Sequence, residues 1–217
     1  GDITEGQVWY NTTSDTFKSV ITNEAWASSG ALGTARYSLG AAGTQDAGLA
    51  FGGAVPPSPG FATQALTEEY NGSGWNAGGA LPTQNYAGGG AGTQTAGIIF
   101  GGTTGSVSGV TQTYDGSSFS TNPATMNLAR QGFKSGLNGS QTSTVAFGGS
   151  PPQTNATEDW DGTTWTTSTA LPATVQSHGG AGTGASALSF GGTSPDRADT
   201  YEYTFAGTAA IDTVTTS

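Results

Sequence analysis

The clearest indication of the fold is the sequence Ala96-Gly97-Ile98-Ile99-Phe100-Gly101-Gly102. It is a short apolar run that stops at two glycines, and such a run predicts a β-strand buried on both faces. Its Phe-Gly-Gly ending occurs four times, at Phe51-Gly52-Gly53, Phe100-Gly101-Gly102, Phe147-Gly148-Gly149 and Phe190-Gly191-Gly192. The intervals of 49, 47 and 43 residues are typical of four-stranded propeller blades, so the chain is predicted to be a repeat array.

Other residues keep step with these four sites. The phrase Ala-Gly-Thr ends seven residues before three of the phenylalanines, at residues 42–44, 91–93 and 181–183. A tryptophan lies 25 residues before three of them, and Phe119 takes its place in the third repeat; the tryptophans are Trp26, Trp75 and Trp165. Each of these tryptophans is followed six residues later by a leucine, Leu32, Leu81 or Leu171. Several registers that stay aligned indicate a true repeat.

The strand pattern within a repeat predicts an all-β protein. Residues 67–72, 111–116 and 157–162 are polar strands that end in Asn-Gly or Asp-Gly. This ending predicts a hairpin with a type I′ turn, in which both central residues have positive φ. Residues 88–92 are nearly all glycine and are predicted to form the innermost strand, where blades crowd around an axis. No part of the chain has sustained helical periodicity.

Composition excludes several classes of function. The 217 residues include 37 Gly, 9 Pro, no Cys and one His, and the net charge is −10 with 9% charged residues. These counts exclude disulfides, thiolate chemistry and multi-histidine metal sites, so we expect no metal and no cofactor. Five scattered basic residues cannot neutralise a phosphate track, so we expect no nucleic acid partner; they are Lys18, Arg36, Arg130, Lys134 and Arg197. No apolar run is long enough for membrane insertion, and the regularly spaced aromatics argue against disorder.

These residues resemble the kelch-type β-propeller repeat. A kelch blade has a double glycine after its second strand, a Tyr in the third and a Trp at the start of the fourth, and this pattern covers roughly residues 30 to 205. The match departs at the Arg that often opens a kelch blade, which is present only as Arg36 and Arg130. Residues 90–96 (GAGTQTA) and 67–73 (TEEYNGS) are similar to phrases of marine bacteriophage structural proteins, cyanophages especially. Residues 5–13 are similar to phage tail-fibre sequence.

The spacing predicts four blades, with five as the alternative. The last repeat ends after its third strand, at Tyr201 to Tyr203, whereas Trp26 and its neighbours have the pattern of a fourth strand without a blade. Pairing the N-terminal strand with the last blade would close the ring and leave no open edge. Closure between chains is a further possibility. The predicted domains are an N-terminal hairpin or connector at 1–20, the propeller at 21–207 and a C-terminal tail at 208–217.

The loops between second and third strands are the predicted binding surface. They differ most between repeats, at residues 54–66, 103–110, 150–156 and 193–198, and they should share a face with the connections between blades. A rigid scaffold that displays variable loops is typical of binding proteins. The candidate ligand contacts on that face are Phe61, Tyr86, His178 and Arg197. Phe61 has an alternative role in tucking its loop down, and Tyr86 aligns with Tyr37 and Phe133 and has a core role as its alternative.

The acidic residues and the repeat positions favour structure over catalysis. Glu68-Glu69, and Glu158-Asp159 with Asp161, could form calcium or glycosidase sites, but as repeated residues on polar strands they are expected to be solvated. The copper oxidases that share a propeller fold need Cys and several His, and a sialidase-like site needs an Arg cluster. We therefore expect no enzyme and no catalytic residue.

The resemblance to phage proteins implies a virion structural or adhesion module, in a tail fibre, tail tip or capsid-surface appendage. Such a module is located on the virion or otherwise outside the cell. It would bind other virion subunits, copies of itself or a host-surface glycan through its propeller loops, with aromatic rings and hydroxyl groups as the sugar contacts. The alternative is a secreted or cell-surface bacterial kelch-like interaction or glycan-binding domain.

Overall fold

The fold is entirely β in the part of the chain that the computed structural model describes, which is residues 8–19, 26–56, 62–135, 138–193 and 195–205. These ranges contain strands, turns and irregular segments and no helix. The strands are β1 (Val8–Asn11), β2 (Thr16–Ser19), β3 (Gly40–Gly43), β4 (Gly48–Phe51), β5 (Ala54–Val55), β6 (Ala62–Thr63), β7 (Thr67–Tyr70), β8 (Trp75–Ala77), β9 (Gly89–Thr93), β10 (Ala96–Phe100), β11 (Thr111–Tyr114), β12 (Phe119–Asn122), β13 (Lys134–Ser135), β14 (Thr144–Phe147), β15 (Thr157–Trp160), β16 (Trp165–Ser168), β17 (Gly179–Gly182), β18 (Ser186–Phe190) and β19 (Thr200–Thr204).

Four antiparallel sheets are arranged as a four-bladed β-propeller. Blade 1 has the strand order β3-β4-β7-β8, blade 2 has β9-β10-β11-β12 and blade 3 has β13-β14-β15-β16. In the described part of the chain, blade 4 has three strands, in the order β17-β18-β19. Two small hairpins accompany the blades: β1 with β2, and β5 with β6 inside the long loop of blade 1. The predicted all-β class and four blades are confirmed, and the described residues contain no fifth blade.

Glycine lets the innermost strands approach one another. β3, β9, β13 and β17 are the first strands of their blades, and β9 contacts both β3 and β13. A Cβ atom placed on Gly90 would lie 2.8 Å from the Ala41 carbonyl oxygen and 2.9 Å from the Phe51 ring, so no larger residue fits there. The prediction of a glycine-rich inner strand at residues 88–92 is therefore confirmed.

The connections that enter successive blades are joined by backbone hydrogen bonds. The N–H of Ala87 donates to the Ser38 carbonyl (2.9 Å), that of Gly132 to Ala87 (3.2 Å) and that of Ser177 to Gly132 (3.1 Å). All four residues have φ between 49° and 60°, including the non-glycine Ser38, Ala87 and Ser177. Residues other than glycine rarely adopt positive φ. The repeated conformation is therefore imposed by the packing of each blade entry against the next one.

The hairpins at Asn71-Gly72, Asp115-Gly116 and Asp161-Gly162 form, but their predicted type I′ turns are wrong. Only the glycines have positive φ, at 88°, 95° and 96°. Tyr70 pairs with Trp75, which leaves a four-residue loop instead of a two-residue one. The Asp161 carboxylate accepts the N–H groups of Thr163 (2.8 Å) and Thr164 (2.7 Å), and this Asx-type geometry replaces the second positive φ. The same backbone donors around Asp115, from Ser118 and Ser117, lower the pKa of its carboxyl to about 2.

The Phe-Gly-Gly phenylalanines lie between blades. Phe51, Phe100 and Phe147 are almost completely buried, each between its own blade and the next one. Phe190 occupies the same place in blade 4 and is 43% exposed. Three of the four repeats thus have a covered second strand, and the fourth presents it on an open face.

The predicted fourth strand around Trp26 is not assigned as a strand in the structure. Residues 26–30 are irregular, and the Trp26 side chain is fully exposed. Within the described ranges, no backbone hydrogen bond joins blade 4 to blade 1. Closure of the ring by an N-terminal strand therefore stays a prediction, and β19 has a free outer edge in the described part of the chain.

Candidate functional site

The variable loops lie on one face of the propeller. Each connection that enters a blade forms a bridge with the beginning of that blade's second-to-third loop: Tyr37 with Ala54, Tyr86 with Thr103, Gln131 with Ser150 and Gln176 with Thr193. These bridges confirm that the connections and the second-to-third loops share a face. We call this surface the loop face; it is formed by the bridge residues Tyr37, Tyr86, Gln131 and Gln176 of the connections and by residues 54–56, 62–66, 103–110, 150–156, 193 and 195–198.

Two of the predicted ligand contacts lie on the loop face. Tyr86 is half-buried and its backbone pairs with Thr103. Arg197 extends from the blade 4 loop and forms an ion pair with Asp199 (2.9 Å), whose carboxylate also accepts the Tyr201 hydroxyl (3.1 Å). The Arg197 guanidinium and then the Tyr201 hydroxyl lower the pKa of the Asp199 carboxyl. Phe61 lies outside the described residues.

The structure places His178 inside the molecule, between blades 3 and 4. Its ring is 3% exposed, lies 5.5 Å from the Phe147 ring and makes hydrogen-bond contacts with the Phe147 carbonyl (3.2 Å) and the Ser189 hydroxyl (2.9 Å). Burial lowers the pKa of the imidazole and nearby Lys134 lowers it further, while the backbone carbonyls of Gly179 and Phe147 oppose the shift. His178 is thus a neutral packing residue that presents no ring atom to the loop face.

The bridges also correct the alignment of Tyr86 with Phe133. Tyr86 corresponds to Tyr37, Gln131 and Gln176, which make the same bridge in the other blades. Phe133 lies two residues beyond its own bridge residue and corresponds to His178 instead. It packs on Phe100 at 5.8 Å and is buried. Tyr86 therefore belongs to a set of edge positions that are half-buried or exposed, and sequence spacing alone missed the two-residue insertion.

The expectation that Glu68 and Glu158 are solvated is wrong. Glu158 is 1% exposed and forms an ion pair with Arg130, and its carboxylate also accepts the backbone N–H of Asn127 at 2.6 Å. Glu68 makes the same contacts with Arg36 and the N–H of Gly33 (2.6 Å). Both side chains point toward the connection that enters their own blade, so that connection covers them.

The electrostatics of these pairs follow from burial. Burial alone would raise the pKa of the Glu68 carboxyl, but Arg36 and the Gly33 N–H together hold that pKa below its ordinary value. Burial lowers the pKa of the Arg130 guanidinium, and the Glu158 carboxylate opposes that shift. In blade 2 an amide does the same work: Gln112 accepts the Thr83 N–H (2.9 Å) and donates to the Thr83 carbonyl (3.0 Å). These are anchors for blade entry, and none of them is a free acid or base.

Fourth-strand aromatics fill the spaces between blades. Trp165 of blade 3 packs on Phe100 of blade 2 at 4.7 Å, and its indole N–H donates to the Thr111 hydroxyl (2.9 Å). Phe119 of blade 2 packs on Phe51 of blade 1 at 5.7 Å. Because a phenylalanine has no N–H to offer, the hydroxyl of Thr67, the blade 1 counterpart of Thr111, is buried without a partner.

No residue in the described ranges provides this aromatic for blade 4, and a cavity of about 470 Å³ lies in its place. The cavity lies between blades 3 and 4 and is lined by Phe147, Thr157, Leu171, Ala187 and Tyr203, among others. Phe147 and Thr157 are the blade 3 counterparts of Phe100 and Thr111. The cavity is therefore the space that an outer-strand tryptophan occupies one interface earlier. In the sequence, Trp26 has the spacing of the fourth-strand tryptophans, and it is therefore the residue predicted to fill this cavity.

No match was found between this chain and the protein-family models, or between it and the curated proteins. The described residues contain no group of three or more His, Asp or Glu side chains arranged to hold a metal ion. The same residues contain no helix that is long and apolar enough to cross a membrane. The geometry thus offers a loop face and an unfilled blade interface as its two candidate sites.

The buried pair in blade 3 gives a first prediction. Arg130→Met should lower the free energy of unfolding by about 3–5 kcal/mol, because the Glu158 carboxylate stays buried without its partner. The double variant Arg130→Met, Glu158→Gln should lose less, since an amide satisfies the equivalent site in blade 2. Urea unfolding of the three proteins measures the difference. Equal losses in the single and double variants would show that the charge of Glu158 is not held by Arg130.

His178 gives a second prediction, for pH dependence. The folded chain holds the imidazole neutral, whereas the unfolded chain protonates it as the pH falls through about 6.5. At pH values above about 6.5, His178 should therefore not change the free energy of unfolding. As the pH is lowered from about 6.5 to the lower pKa of the folded state, the free energy of unfolding should decrease. Denaturant unfolding at pH 7.5 and 5.5 measures the loss.

The matched control is His178→Phe, because phenylalanine occupies the equivalent position in blade 3 as Phe133. This variant should lose less stability than the parent chain between the two pH values. The same loss in both proteins would contradict a buried neutral histidine.

Proposed function

We propose that this chain is a non-enzymatic adhesion and assembly module of a bacteriophage particle. It binds a host-surface glycan or a neighbouring subunit through the loop face. The observation that supports this proposal is the set of four bridges that bring four loops of different length to one face of a repeated scaffold. Variable loops on a rigid frame suit recognition, because the frame fixes their positions while their sequences differ.

The ionisable groups support a binding role over a catalytic one. Glu68 and Glu158 are held by arginines, Asp115 and Asp161 by turn N–H groups, and Asp199 by Arg197 and Tyr201. A general acid or base must be able to reach a substrate proton. Each of these carboxylates is instead satisfied by structural donors of the same or the neighbouring strand and connection.

The kelch-like repeat and the particle setting rest on sequence. The first three repeats have Phe-Gly-Gly, then an aromatic residue in the third strand and another at the start of the fourth, and this order is similar to that of a kelch blade. Residues 90–96 are similar to a phrase of cyanophage structural proteins. A chain with no Cys, 9% charged residues and a net charge of −10 suits a surface outside the cell. In this proposal a strand that contains Trp26 completes blade 4.

Glycan arrays test the adhesion role. The full chain should bind at least one bacterial surface polysaccharide, with an affinity that Tyr86→Ala and Arg197→Ala each lower about tenfold, which is the loss of roughly 1.4 kcal/mol of contact energy. Thr163→Ala is the matched control, because Thr163 lies in a third-to-fourth-strand turn on the opposite face, and it should bind like the parent chain.

Two outcomes would contradict the proposal. Absence of binding to every glycan and to intact bacterial cells would refute the adhesion role. Release of free sugar by the parent chain from a bound polysaccharide would refute the non-enzymatic role.

A further inference from the structure

The blade interfaces define what the cavity beside Phe147 should hold. At the interface of blades 2 and 3, the Trp165 ring covers Phe100 and also packs at a tilt on Trp160 of its own blade, with the ring centres 5.3 Å apart. At the interface of blades 1 and 2, Phe119 covers Phe51 and contacts Tyr114 at 4.7 Å. At the interface of blades 3 and 4, Phe147 and Tyr203 line the cavity, and no described residue supplies a fourth-strand aromatic ring to fill it.

The segment that begins at Trp26 has the sequence of this missing strand. Trp26 is followed by Ala31-Leu32 with the same spacing as Trp75 by Ala80-Leu81 and Trp165 by Ala170-Leu171. In blades 1 and 3 the tryptophan starts the outer strand, and the leucine N–H closes the blade: Leu81 donates to Ala65 and Leu171 to Asn155 (2.8 and 2.9 Å). Trp26 is fully exposed and is therefore free to enter the site.

The register of the other blades fixes how this strand would pair with β19. Tyr70 pairs with Trp75, Tyr114 with Phe119 and Trp160 with Trp165. The same register pairs Tyr203 with Trp26, and the next pair, equivalent to Thr113 with Ser120, is Glu202 with Ala27. The indole N–H of Trp26 then faces the Thr157 hydroxyl, as that of Trp165 faces Thr111.

The position of the segment shows which blade receives it. The N–H of Gly30 donates to the Ser73 carbonyl (3.3 Å), and Ser29 contacts the Tyr70 hydroxyl, so residues 29–30 lie on the β7–β8 turn of blade 1. Gly79, their counterpart after β8, approaches the equivalent turn of blade 2, with its Cβ position 2.3 Å from the Ser117 carbonyl. Residues 29–30 thus contact blade 1 in the way that the end of the fourth strand of blade 1 contacts blade 2. This is the position of the fourth strand of a blade that precedes blade 1.

In the described residues, blade 4 of the same chain does not cover the open face of blade 1. Phe190 is 43% exposed and Leu188 is half-buried, although their counterparts Ile98 and Phe100 are completely buried by the following blade. On blade 1, Gln45 is exposed, whereas the equivalent Gln94 donates to the Gly48 (3.1 Å) and Tyr70 (2.6 Å) carbonyls of the preceding blade. The described faces of blade 4 and blade 1 are complementary by the repeat and are unpaired within one chain.

We propose that a second copy of this chain covers the open face. Blade 1 of one copy packs on blade 4 of the other, and its residues 26–29 add to β19 as the fourth strand with Trp26 in the cavity. The contact is head to tail, and we propose the smallest closed assembly that it allows, a dimer with two such contacts. The proposal rests on the assembly role of the proposed function and adds to it a contact between copies at the outer edge of blade 4, away from the loop face, and it does not depend on glycan binding.

Disulfide trapping in the full chain tests the proposal directly. The chain has no native Cys, so Ala27→Cys with Glu202→Cys introduces one defined pair. Oxidation should give a covalent dimer on a non-reducing gel. The matched control is Thr113→Cys with Ser120→Cys, the equivalent pair inside blade 2, which should crosslink within one chain.

Two results of the trapping experiment would overturn the proposal. An intramolecular crosslink between positions 27 and 202 would show that the ring closes within one chain. Absence of any crosslink, with the blade 2 control crosslinked, would show that residues 26–29 do not pair with β19. Neither result would affect the glycan-binding test of the loop face.

Complementing variants provide a second measurement that does not need cysteines. Trp26→Asp removes the donated strand's anchor and Phe190→Asp blocks the receiving face, so each should run at the mass of a single chain in light scattering. An equimolar mixture should recover dimers, because one intact donor can meet one intact receiver. Phe205→Asp, a change of an exposed aromatic of the same blade, should remain dimeric. A mixture that stays monomeric, or a monomeric parent chain, would contradict the proposal.

Discussion

The structure depends on the packing of a fourth-strand aromatic ring against the Phe-Gly-Gly phenylalanine of the preceding blade. A single blade is hydrophobic on both faces and cannot bury them alone. Blades 2 and 3 therefore each contribute a fourth-strand aromatic ring that covers the preceding blade. Aromatic pairs of this kind contribute about 0.5–1.5 kcal/mol beyond the area that they bury. Phe51 with Phe119 and Phe100 with Trp165 satisfy the requirement, and the cavity beside Phe147 marks the place where it is unmet.

The repeat frame was predictable from sequence because its residues have strict local requirements. Phe-Gly-Gly ends the second strand where both glycines adopt positive φ, as at Gly101 (63°) and Gly102 (83°), and glycine-rich residues 88–92 fit beside the axis. The turn type was not predictable, since Asn-Gly and Asp-Gly favour type I′ turns only when the strand register leaves two residues in the loop. The pairing of Tyr70 with Trp75 leaves four.

The buried polar residues show a second limit of sequence reasoning. Alternation along a strand predicts which side chains share a face, but it does not reveal that a connection covers that face. Glu158 and its partner Arg130 are therefore buried where surface carboxylates were expected, and His178 is enclosed between blades instead of lying on the loop face. The positions of the loops in the candidate site could be predicted from the repeat spacing. The roles of individual side chains could not, because they depend on which residues lie next to them in the folded chain.

In the described residues the last blade has three strands, and its outer strand β19 is the edge at which we propose that the chain assembles. The loop face can vary without disturbing the frame, and the free edge of β19 requires a strand that the described blades do not supply. Hydrogen exchange of the full chain measures whether the outer edge of β19 is paired. We expect as many slowly exchanging amides in residues 200–204 as in residues 111–114, where both edges are paired. Rapid exchange of half of the 200–204 amides, as in an unpaired edge strand, would contradict it.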